Sequence, residues 1–180
     1  MKTSFETERL LLRELLPSDA EGVFRLDSNP EVHKYLGRNP VRDISQIHNA
    51  IANIRQQYLD NGIGRWAVIL KETNEFIGWS GIKIEKNVNG HERFYDLGYR
   101  FIEEYWGKGY AFESAKAFVD FGFNELNLKI INAIADVQNH GSRNVLQKCG
   151  LKAVNEFILD GDPHIWYEIE YDKIIRILPT

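Results

Sequence analysis

The first third of the chain has the hydrophobic spacing of helices. Five apolar residues fall three or four positions apart, as they would on one face of a helix. They are Ile44, Ile47, Ile51, Ile54 and Tyr58. We expect this helix to end near Asn61-Gly62, because glycine favours the left-handed conformation that closes a helix. Upstream, residues 9–15 predict a first strand, Ser18-Asp-Ala-Glu21 has the form of a capping box, and Asn29-Pro30-Glu31 predicts another helix start.

The middle of the chain has the composition of strands. β-Branched and aromatic residues predict strands at 66–70 and 76–84, which Glu72-Thr73-Asn74-Glu75 would join as a hairpin. The polar residues 85–93 predict an exposed loop, and residues 94–102 predict the next strand.

The second half of the chain alternates helices and strands. A glycine-rich turn leads into a helix that extends to about Leu126, and residues 130–135 are short and apolar enough for a strand buried on both faces. A short helix from Ser142 follows, and strands near 153–159 and 165–171 complete the pattern. Early helices, a meander and then alternating strands and helices predict an α/β fold in which helices cover a mixed sheet.

Composition and charge narrow the classes of protein. With 180 residues, 43% hydrophobic and 27% charged, the chain has the balance of one globular domain, and no repeat or linker divides residues 1–180. The net charge of −4 argues against direct nucleic-acid binding, although a local basic patch stays open. Residues 1–8 lack the apolar core of a signal peptide, and no apolar run approaches the ~20 residues that span a bilayer, so we expect no membrane partner. The single cysteine, Cys149, excludes an internal disulfide and favours a reducing, cytoplasmic compartment.

Residues 106–111 have the features of a phosphate-binding turn. Gly107 and Gly109 leave the main chain accessible, and the helix that follows directs free N–H groups and its positive dipole end at the turn. Lys108 can add positive charge. Glycine can also serve a strand-to-helix turn for conformational reasons alone, and this alternative stays open on the local pattern. The dinucleotide fingerprint fails at Phe112, and the Walker pattern fails because Gly109 follows the lysine.

Two segments resemble the GCN5-related N-acetyltransferase (GNAT) superfamily. Trp106-Gly-Lys-Gly-Tyr-Ala111 is similar to the superfamily's coenzyme A loop, Q/R-x-x-G-x-G/A, with tryptophan in the first place. That tryptophan, together with Glu113, resembles the RimJ/RimL-like branch of ribosomal-protein N-terminal acetyltransferases. The segment 139–151, with sequence NHGSRNVLQKCGL, resembles the family pattern N-x-x-S-x-x-V-L-x-K-x-G-F/L. Within it, Ser142 has the right chemistry to cap a helix and Gly150 lies where a helix would end.

The resemblance implies a GNAT fold, which has a largely antiparallel central sheet of about seven strands flanked by about four helices. It implies acetyl-CoA as co-substrate and direct transfer of the acetyl group to an amine through a tetrahedral intermediate. The implied coenzyme A site consists of Phe101, Ile102, Trp106, Gly107, Lys108, Gly109, Tyr110, Ala111, Asn139, Arg143 and Lys148. Backbone N–H groups around Phe101 and Ile102 would polarise the thioester carbonyl. Asn139 would contact the pantetheine arm or the acceptor, and Arg143 and Lys148 the outer phosphates, unless these three are ordinary surface residues.

The strand before the loop carries the candidate base. Side chains alternate along a strand, so Asp96 lies on the opposite face from the apolar Leu97. A charged residue on the Asp96 face suits the wall of a cleft rather than a packed core. The run Asp96-Leu-Gly-Tyr99 resembles the acid-bearing strand of the family. An amine is largely protonated near neutral pH and must lose a proton before it attacks, so we expect Asp96 to act as general base through a water. The alternative is a structural acid paired with Arg93 or Arg100.

Ser142 is, by analogy with the family, the candidate that protonates the departing thiolate, and Tyr110 is a weaker one. A helix-capping role alone would also explain Ser142. A Cys149 nucleophile with His140 is disfavoured, because a thiol on the apolar side of a short helix is inert. The five histidines form no metal-binding motif, so we expect no metal site.

The sequence leaves three hypotheses open for the function of the chain, and the first two differ in the acceptor. The first is a protein or peptide N-terminal amine, as in the branch that the chain resembles. The second is a small-molecule amine such as a polyamine, an aminoglycoside or a metabolite, and the third is a coenzyme A-binding module without catalysis. We expect residues 29–61 and 160–163 to line the acceptor site. The oligomeric state stays open, a homodimer included.

Overall fold

A computed structural model describes residues 2–171 and places eight strands in one sheet. The strands are β1 (Ser4–Glu6), β2 (Leu10–Glu14), β3 (Arg65–Leu70), β4 (Glu75–Val88), β5 (His91–Phe101), β6 (Ile130–Asp136), β7 (Lys152–Leu159) and β8 (Asp162–Glu170). The helices are α1 (Ala20–Asp27), α2 (Ile44–Asn61), α3 (Tyr110–Asn124) and α4 (His140–Lys148), with short 3-10 turns at Pro17–Asp19 and Glu103–Tyr105. The strand order is β1-β2-β3-β4-β5-β6-β8-β7.

The predicted α/β class and the mixed, largely antiparallel sheet are confirmed. Every neighbouring pair of strands is antiparallel except β5 and β6, which are parallel. The sheet has eight strands rather than about seven, because the short strand β1 adds to its edge by pairing with β2. Within residues 2–171, none of the helices combines the length and the apolar character needed to cross a bilayer.

The predicted helix with five apolar residues is confirmed as α2. Its amino end is capped by Asp43, whose carboxylate accepts the Ser45 amide at 2.7 Å, and its carboxyl end closes at Gly62, which has a φ of 71°. The buried face of α2 includes Ile47 and Ile51, which pack with residues of α1 and β3 on one side of the sheet. The helices α3 and α4 pack against the other side.

The predicted capping box at residues 18–21 is wrong. Ser18 lies within a 3-10 turn, and α1 begins only at Ala20. The side chain that organises this turn is Asp19, whose carboxylate accepts the backbone amide of Leu16 at 2.8 Å. The chain therefore enters α1 through a turn and not through a serine cap.

The helix predicted to begin at Asn29-Pro30-Glu31 is also absent, and residues 30–38 form successive turns. The side chain of Asn29 accepts the amide of Glu31 at 2.9 Å, a local contact that competes with helical hydrogen bonding. The run ends at Gly37 and Arg38, which both have positive φ.

The exposed loop predicted at residues 85–93 is instead a long hairpin. The strand β4 continues to Val88 and β5 begins at His91, so only two residues form the turn. Asn89 and Gly90 have φ values of 51° and 76°, as a two-residue turn with the twist of the strands requires. The polar side chains of this segment are the exposed face of an extended hairpin.

The strands β5 and β6 share one pair of Cα partners, Asp96 and Asn132. Beyond this pair the rest of β5, from Leu97 to Phe101, has no partner in β6 within the described chain. The two parallel strands therefore separate toward their carboxyl ends. This opening lies next to the glycine-rich turn at residues 106–109 that leads into α3.

Candidate active site

The turn before α3 offers a set of free backbone donors. Gly107 and Gly109 have φ values of 71° and 84°, which explains why glycine stands at both positions. The amides of residues 107–112 donate to no acceptor in the part of the chain that the structure describes. The amide of Trp106 differs, since it donates to the carbonyl of Glu103 at 3.0 Å. Because residues 107–109 and 112 are exposed and α3 begins at Tyr110, the arrangement suits an anion at the positive end of the helix.

Trp106 connects this turn to the end of β5, and Lys108 contacts the 3-10 turn that lies between them. The indole N–H of Trp106 donates to the carbonyl of Phe101 at 2.7 Å, while 46% of the residue stays exposed. The ammonium of Lys108 lies 5.4 Å from the centre of the Tyr105 ring. The structure thus brings the predicted loop and the end of β5 together.

The predicted carbonyl-polarising amides are not both free. The amide of Ile102 donates to the carbonyl of Ile77 at 3.0 Å, so it is already bonded within the protein and cannot serve as arranged. Ile102 extends the antiparallel pairing of β5 with β4 beyond Phe101. The sequence pattern did not reveal this extension. For Phe101, the role stays a prediction.

Asp96 lies on the predicted face of β5 but is more enclosed than a cleft wall. The residue is 8% exposed, and its carboxylate forms an ion pair with Arg65. The same guanidinium donates to the carbonyl of Asp96 at 2.6 Å and to the carbonyl of Gly81. The alternative that Asp96 pairs with Arg93 or Arg100 is therefore wrong, because its ion pair is with Arg65, which reaches it across the sheet.

Glycine makes this contact across the sheet possible. Arg65 is paired in register with Gly81, and Gly81 with Gly98. A Cβ atom on Gly98 would lie 2.5 Å from a terminal nitrogen of Arg65. The guanidinium therefore occupies the space that a side chain at position 98 would fill. Burial raises the pKa of Asp96, and the charge of Arg65 opposes this effect.

A second charged cluster lies on the same face, where the acceptor was expected. Arg100 donates to the carboxylate of Asp27 at 2.6 Å, and the ring of Trp79 lies 5.1 Å from Arg100 and 5.4 Å from Arg65. His33, from the predicted acceptor segment, is buried, with its Nε2 3.9 Å from Asp27. Burial lowers the pKa of His33, and the charge of Arg100 lowers it further.

Ser142 does not cap α4, contrary to the prediction. The cap is Asn139, whose side-chain oxygen accepts the Ser142 amide at 3.1 Å, and the helix begins at His140. Both residue types cap helices well, and the sequence alone did not decide between them. The hydroxyl of Ser142 lies 3.1 Å from that of Tyr99, which also donates to the Ser142 carbonyl at 2.9 Å. Burial raises the pKa of Tyr99, so its hydroxyl keeps its proton near neutral pH.

The remaining predicted residues lie in different surroundings. Arg143 turns inward, donating to the carbonyl of Val137 at 2.6 Å and to the hydroxyl of Tyr167 at 3.3 Å, so it does not extend toward outer phosphates. Lys148 is exposed in the last turn of α4. Tyr110, the weaker proton donor, lies under the guanidinium of Arg9 at 4.4 Å.

Cys149 is a buried thiol. It is 4% exposed, and its sulfur lies 4.0 Å from the carbonyl of Phe112 in the first turn of α3. Burial raises its pKa to about 11, so little thiolate exists near neutral pH. These surroundings agree with a structural thiol.

Sequence reasoning missed Arg65, Tyr99 and Arg9. The prediction began β3 at Trp66 and left out the arginine before it, although an arginine beside an apolar strand run was the available signal. The hydroxyl of Tyr99 contacts Ser142 only because α4 packs against β5, and no local pattern in the sequence signals that contact.

The fold and this site together define an acetyltransferase. A family model described as an acetyltransferase (GNAT) domain matches residues 9–152. The chain belongs to this family. It is an acetyl-CoA-dependent N-acetyltransferase.

Relatives and solved structures agree with this assignment. The chain is 36% identical over 140 residues to the uncharacterized N-acetyltransferase p20 of Bacillus licheniformis, which covers 78% of this chain and 77% of the relative. It is 30% identical over 161 residues to the FsC-acetyl coenzyme A-N(2)-transacetylase of Aspergillus fumigatus, covering 86% and 67%. The crystal structure of a GNAT-family acetyltransferase from Bacillus anthracis superposes with a TM-score of 0.78 at 27% identity, covering 93% of this chain and 98% of that one.

Proposed function

We propose that the enzyme binds acetyl-CoA with its diphosphate on the amides of residues 107–112 and transfers the acetyl group directly to a primary amine. The observation that supports this most is the row of unbonded, largely exposed amides at the positive end of α3. The row lies beside the place where β5 and β6 separate, which is open to an extended pantetheine arm.

Other residues of the chain have the chemistry to hold the donor. Lys148 is exposed at the end of α4. The next residue, Cys149, contacts the first turn of α3, so the ammonium of Lys148 suits an outer phosphate of the donor. The side-chain amide of Asn139 keeps its N–H donors after its oxygen has capped α4, and these suit a pantetheine carbonyl.

The transfer requires two protons to leave the ammonium: the base takes one before the nitrogen attacks, and the second leaves the positively charged nitrogen of the tetrahedral intermediate for solvent, which balances the proton that the thiolate receives. The amine nitrogen attacks the thioester carbonyl carbon, a C–N bond forms through a tetrahedral intermediate, and the C–S bond then breaks. We assign Asp96 as the base that accepts the ammonium proton, through a water because the carboxylate is enclosed by Arg65. A pKa raised by burial makes this carboxylate a better base than an exposed one.

The departing thiolate requires one proton. Ser142 and Tyr99 have hydroxyls 3.1 Å apart on the side of β5 opposite Asp96. Two linked hydroxyls can pass a proton to the sulfur from one side while the base acts from the other. We therefore assign proton donation to Ser142, supported by Tyr99.

The first acceptor hypothesis is an N-terminal α-amine of a protein, and it rests on the resemblance of residues 106–113 to the RimJ/RimL-like branch. The second is a small-molecule amine, and the names of relatives divide between the two hypotheses. A putative ribosomal N-acetyltransferase, YdaF of Bacillus subtilis, is 27% identical over 180 residues, covering 94% of this chain. A spermidine N(1)-acetyltransferase of Escherichia coli is 25% identical over 154 residues, covering 83% of this chain.

We further expect residues 1–180 to act as one domain in the cytoplasm, with neither nucleic acid nor membrane as partner. Sedimentation would tell a homodimer from a monomer.

The test is release of free thiol from acetyl-CoA across a panel of amines. The panel would contain peptides with free N-termini, polyamines, aminoglycosides and amino-acid metabolites. Selective turnover of peptides supports the first hypothesis, and selective turnover of a small amine supports the second. An absence of turnover with every amine, in protein that binds coenzyme A, would contradict the proposed reaction.

The role of Asp96 has its own test. Asp96→Asn should lower turnover at least about tenfold and leave coenzyme A affinity unchanged, because loss of a general base costs about 10²–10⁴-fold. The matched control is Glu125→Gln at the exposed carboxyl end of α3, outside the segments expected to line the acceptor site, which should change neither quantity. Unchanged turnover in Asp96→Asn would remove Asp96 from the mechanism.

A further inference from the structure

Glu113, in the first turn of α3, is bonded to the strand region at the start of the chain. Its carboxylate accepts the hydroxyl of Thr7 at 2.6 Å, the backbone amide of Arg9 at 2.8 Å and the side-chain Nε of Arg9 at 2.7 Å. Burial opposes ionisation of Glu113, but these hydrogen bonds outweigh it and lower its pKa. An ionised, well-bonded carboxylate therefore fixes Arg9 beside the start of α3.

The rest of the Arg9 guanidinium contacts the glycine-rich turn. One terminal nitrogen donates to the carbonyl of Lys108 at 2.9 Å, and the group lies over the ring of Tyr110 at 4.4 Å. A Cβ atom on Gly109 would be 3.3 Å from the other terminal nitrogen. One side chain thus touches three successive residues of the turn.

The contact with Lys108 determines the direction of the next amide. In a planar trans peptide, the N–H of Gly109 points the opposite way from the carbonyl of Lys108. Because Arg9 holds that carbonyl on its own side, the Gly109 N–H is directed away from Arg9. Without this bond, the peptide between Lys108 and Gly109 could rotate, since glycine on both sides of the lysine adds backbone freedom.

We propose that Arg9 is a positioning residue that holds the turn in the conformation that presents its amides to the donor's diphosphate. The inference deepens the proposed function and rests on the diphosphate binding at residues 107–112. Glu113 and Thr7 act by holding Arg9. A turn that is ordered before binding loses less conformational entropy when the ligand arrives.

The experiment compares three ligands with the full-length protein: coenzyme A, dephospho-coenzyme A and pantetheine. The first two carry the diphosphate and pantetheine does not. The variants are Arg9→Ala, Arg9→Lys and the control Arg25→Ala. Arg25 is also a half-exposed arginine in an ion pair, with Glu104, but none of its hydrogen bonds within residues 2–171 reaches the turn. Calorimetry gives affinities for the first two ligands, NMR titration that for pantetheine, and thermal unfolding checks that each variant is folded.

Arg9→Ala should weaken coenzyme A and dephospho-coenzyme A equally, by about tenfold, and leave pantetheine affinity within about twofold. Arg9→Lys should lose most of the affinity that Arg9→Ala loses for these two ligands. A lysine keeps the charge but cannot bond Glu113 and the Lys108 carbonyl in the same planar geometry. Full rescue by lysine, unchanged affinities in Arg9→Ala, or equal weakening of all three ligands would each overturn the proposal. If the unsubstituted protein fails to bind coenzyme A, the proposed function fails first, and this inference with it.

Discussion

The buried pair between Arg65 and Asp96 can be broken without touching either residue, by the substitution Gly98→Ala. A Cβ atom at position 98 would lie 2.5 Å from one terminal nitrogen of Arg65 and 2.8 Å from its Cζ. Both distances are too short for real atoms, so the guanidinium must move. Gly98 has an ordinary strand conformation, so an alanine there adds no backbone strain. The cost of the substitution is therefore the cost of displacing Arg65.

The magnitude follows from the contacts that Arg65 would lose. Its guanidinium bonds the carboxylate of Asp96 and two backbone carbonyls. Removing one partner of a buried ion pair costs about 3–5 kcal/mol, and this is the upper limit here because both charged groups remain in the protein. At about 2–4 °C per kcal/mol for a chain of this size, the melting temperature should fall, with an upper limit of about 6–20 °C. Loss of the Arg65 contact should also lower turnover, while coenzyme A affinity stays the same.

Urea unfolding followed by tryptophan fluorescence would measure the free energy of unfolding. The control is Gly141→Ala in α4, where a Cβ atom would meet its nearest neighbour at 3.8 Å, and the change should be within about 1 kcal/mol of zero. Gly98→Ala should cost less than about 1 kcal/mol in an Arg65→Met, Asp96→Asn background, because the displaced contact is already absent. A loss below about 0.5 kcal/mol in the otherwise unchanged protein would refute the reasoning.

Three further predictions concern the turn and its surroundings. Gly109→Ala should weaken coenzyme A binding about tenfold, because φ is 84° there and the left-handed conformation costs an alanine about 1–2 kcal/mol; Gly90→Ala, with a φ of 76° in the distant β4–β5 turn, should leave affinity unchanged. Glu113→Gln should destabilise the protein more at pH 7 than at pH 3. A carboxyl whose folded-state pKa is lowered contributes its full stability above its usual pKa of about 4.3 and loses it as the pH falls through the folded-state pKa, so equal destabilisation in urea at both pH values would contradict this. Cys149→Ala should keep turnover within about twofold, since a thiol with a pKa of about 11 is not an effective nucleophile at neutral pH, and loss of turnover with coenzyme A binding intact would contradict it.

Local patterns predicted the elements that local interactions stabilise. The spacing of apolar residues and the Asn61-Gly62 end were enough to place α2, because each signal lies within a few residues of its effect. The Asn89-Gly90 turn was equally local and was missed, since the polar side chains around it were interpreted as a loop when they belong to the exposed face of a hairpin.

The contacts that build the site are separated by long stretches of sequence. Arg65 and Asp96 are 31 residues apart, and their pairing depends on the register of β3, β4 and β5. Arg9 and Glu113 are 104 residues apart and meet only because β2 passes the amino end of α3. The sequence could therefore indicate that Asp96 faces a functional side of the sheet, but not which arginine encloses it.

The central claim is that the amides of residues 107–112 bind the donor's diphosphate. The most direct test is a titration of ¹⁵N-labelled protein, which follows the backbone amides of Gly107, Gly109 and Ala111. Coenzyme A should shift these three signals strongly and saturably, and pantetheine at equal occupancy should not. Saturable binding of coenzyme A that leaves these signals unmoved would contradict the account.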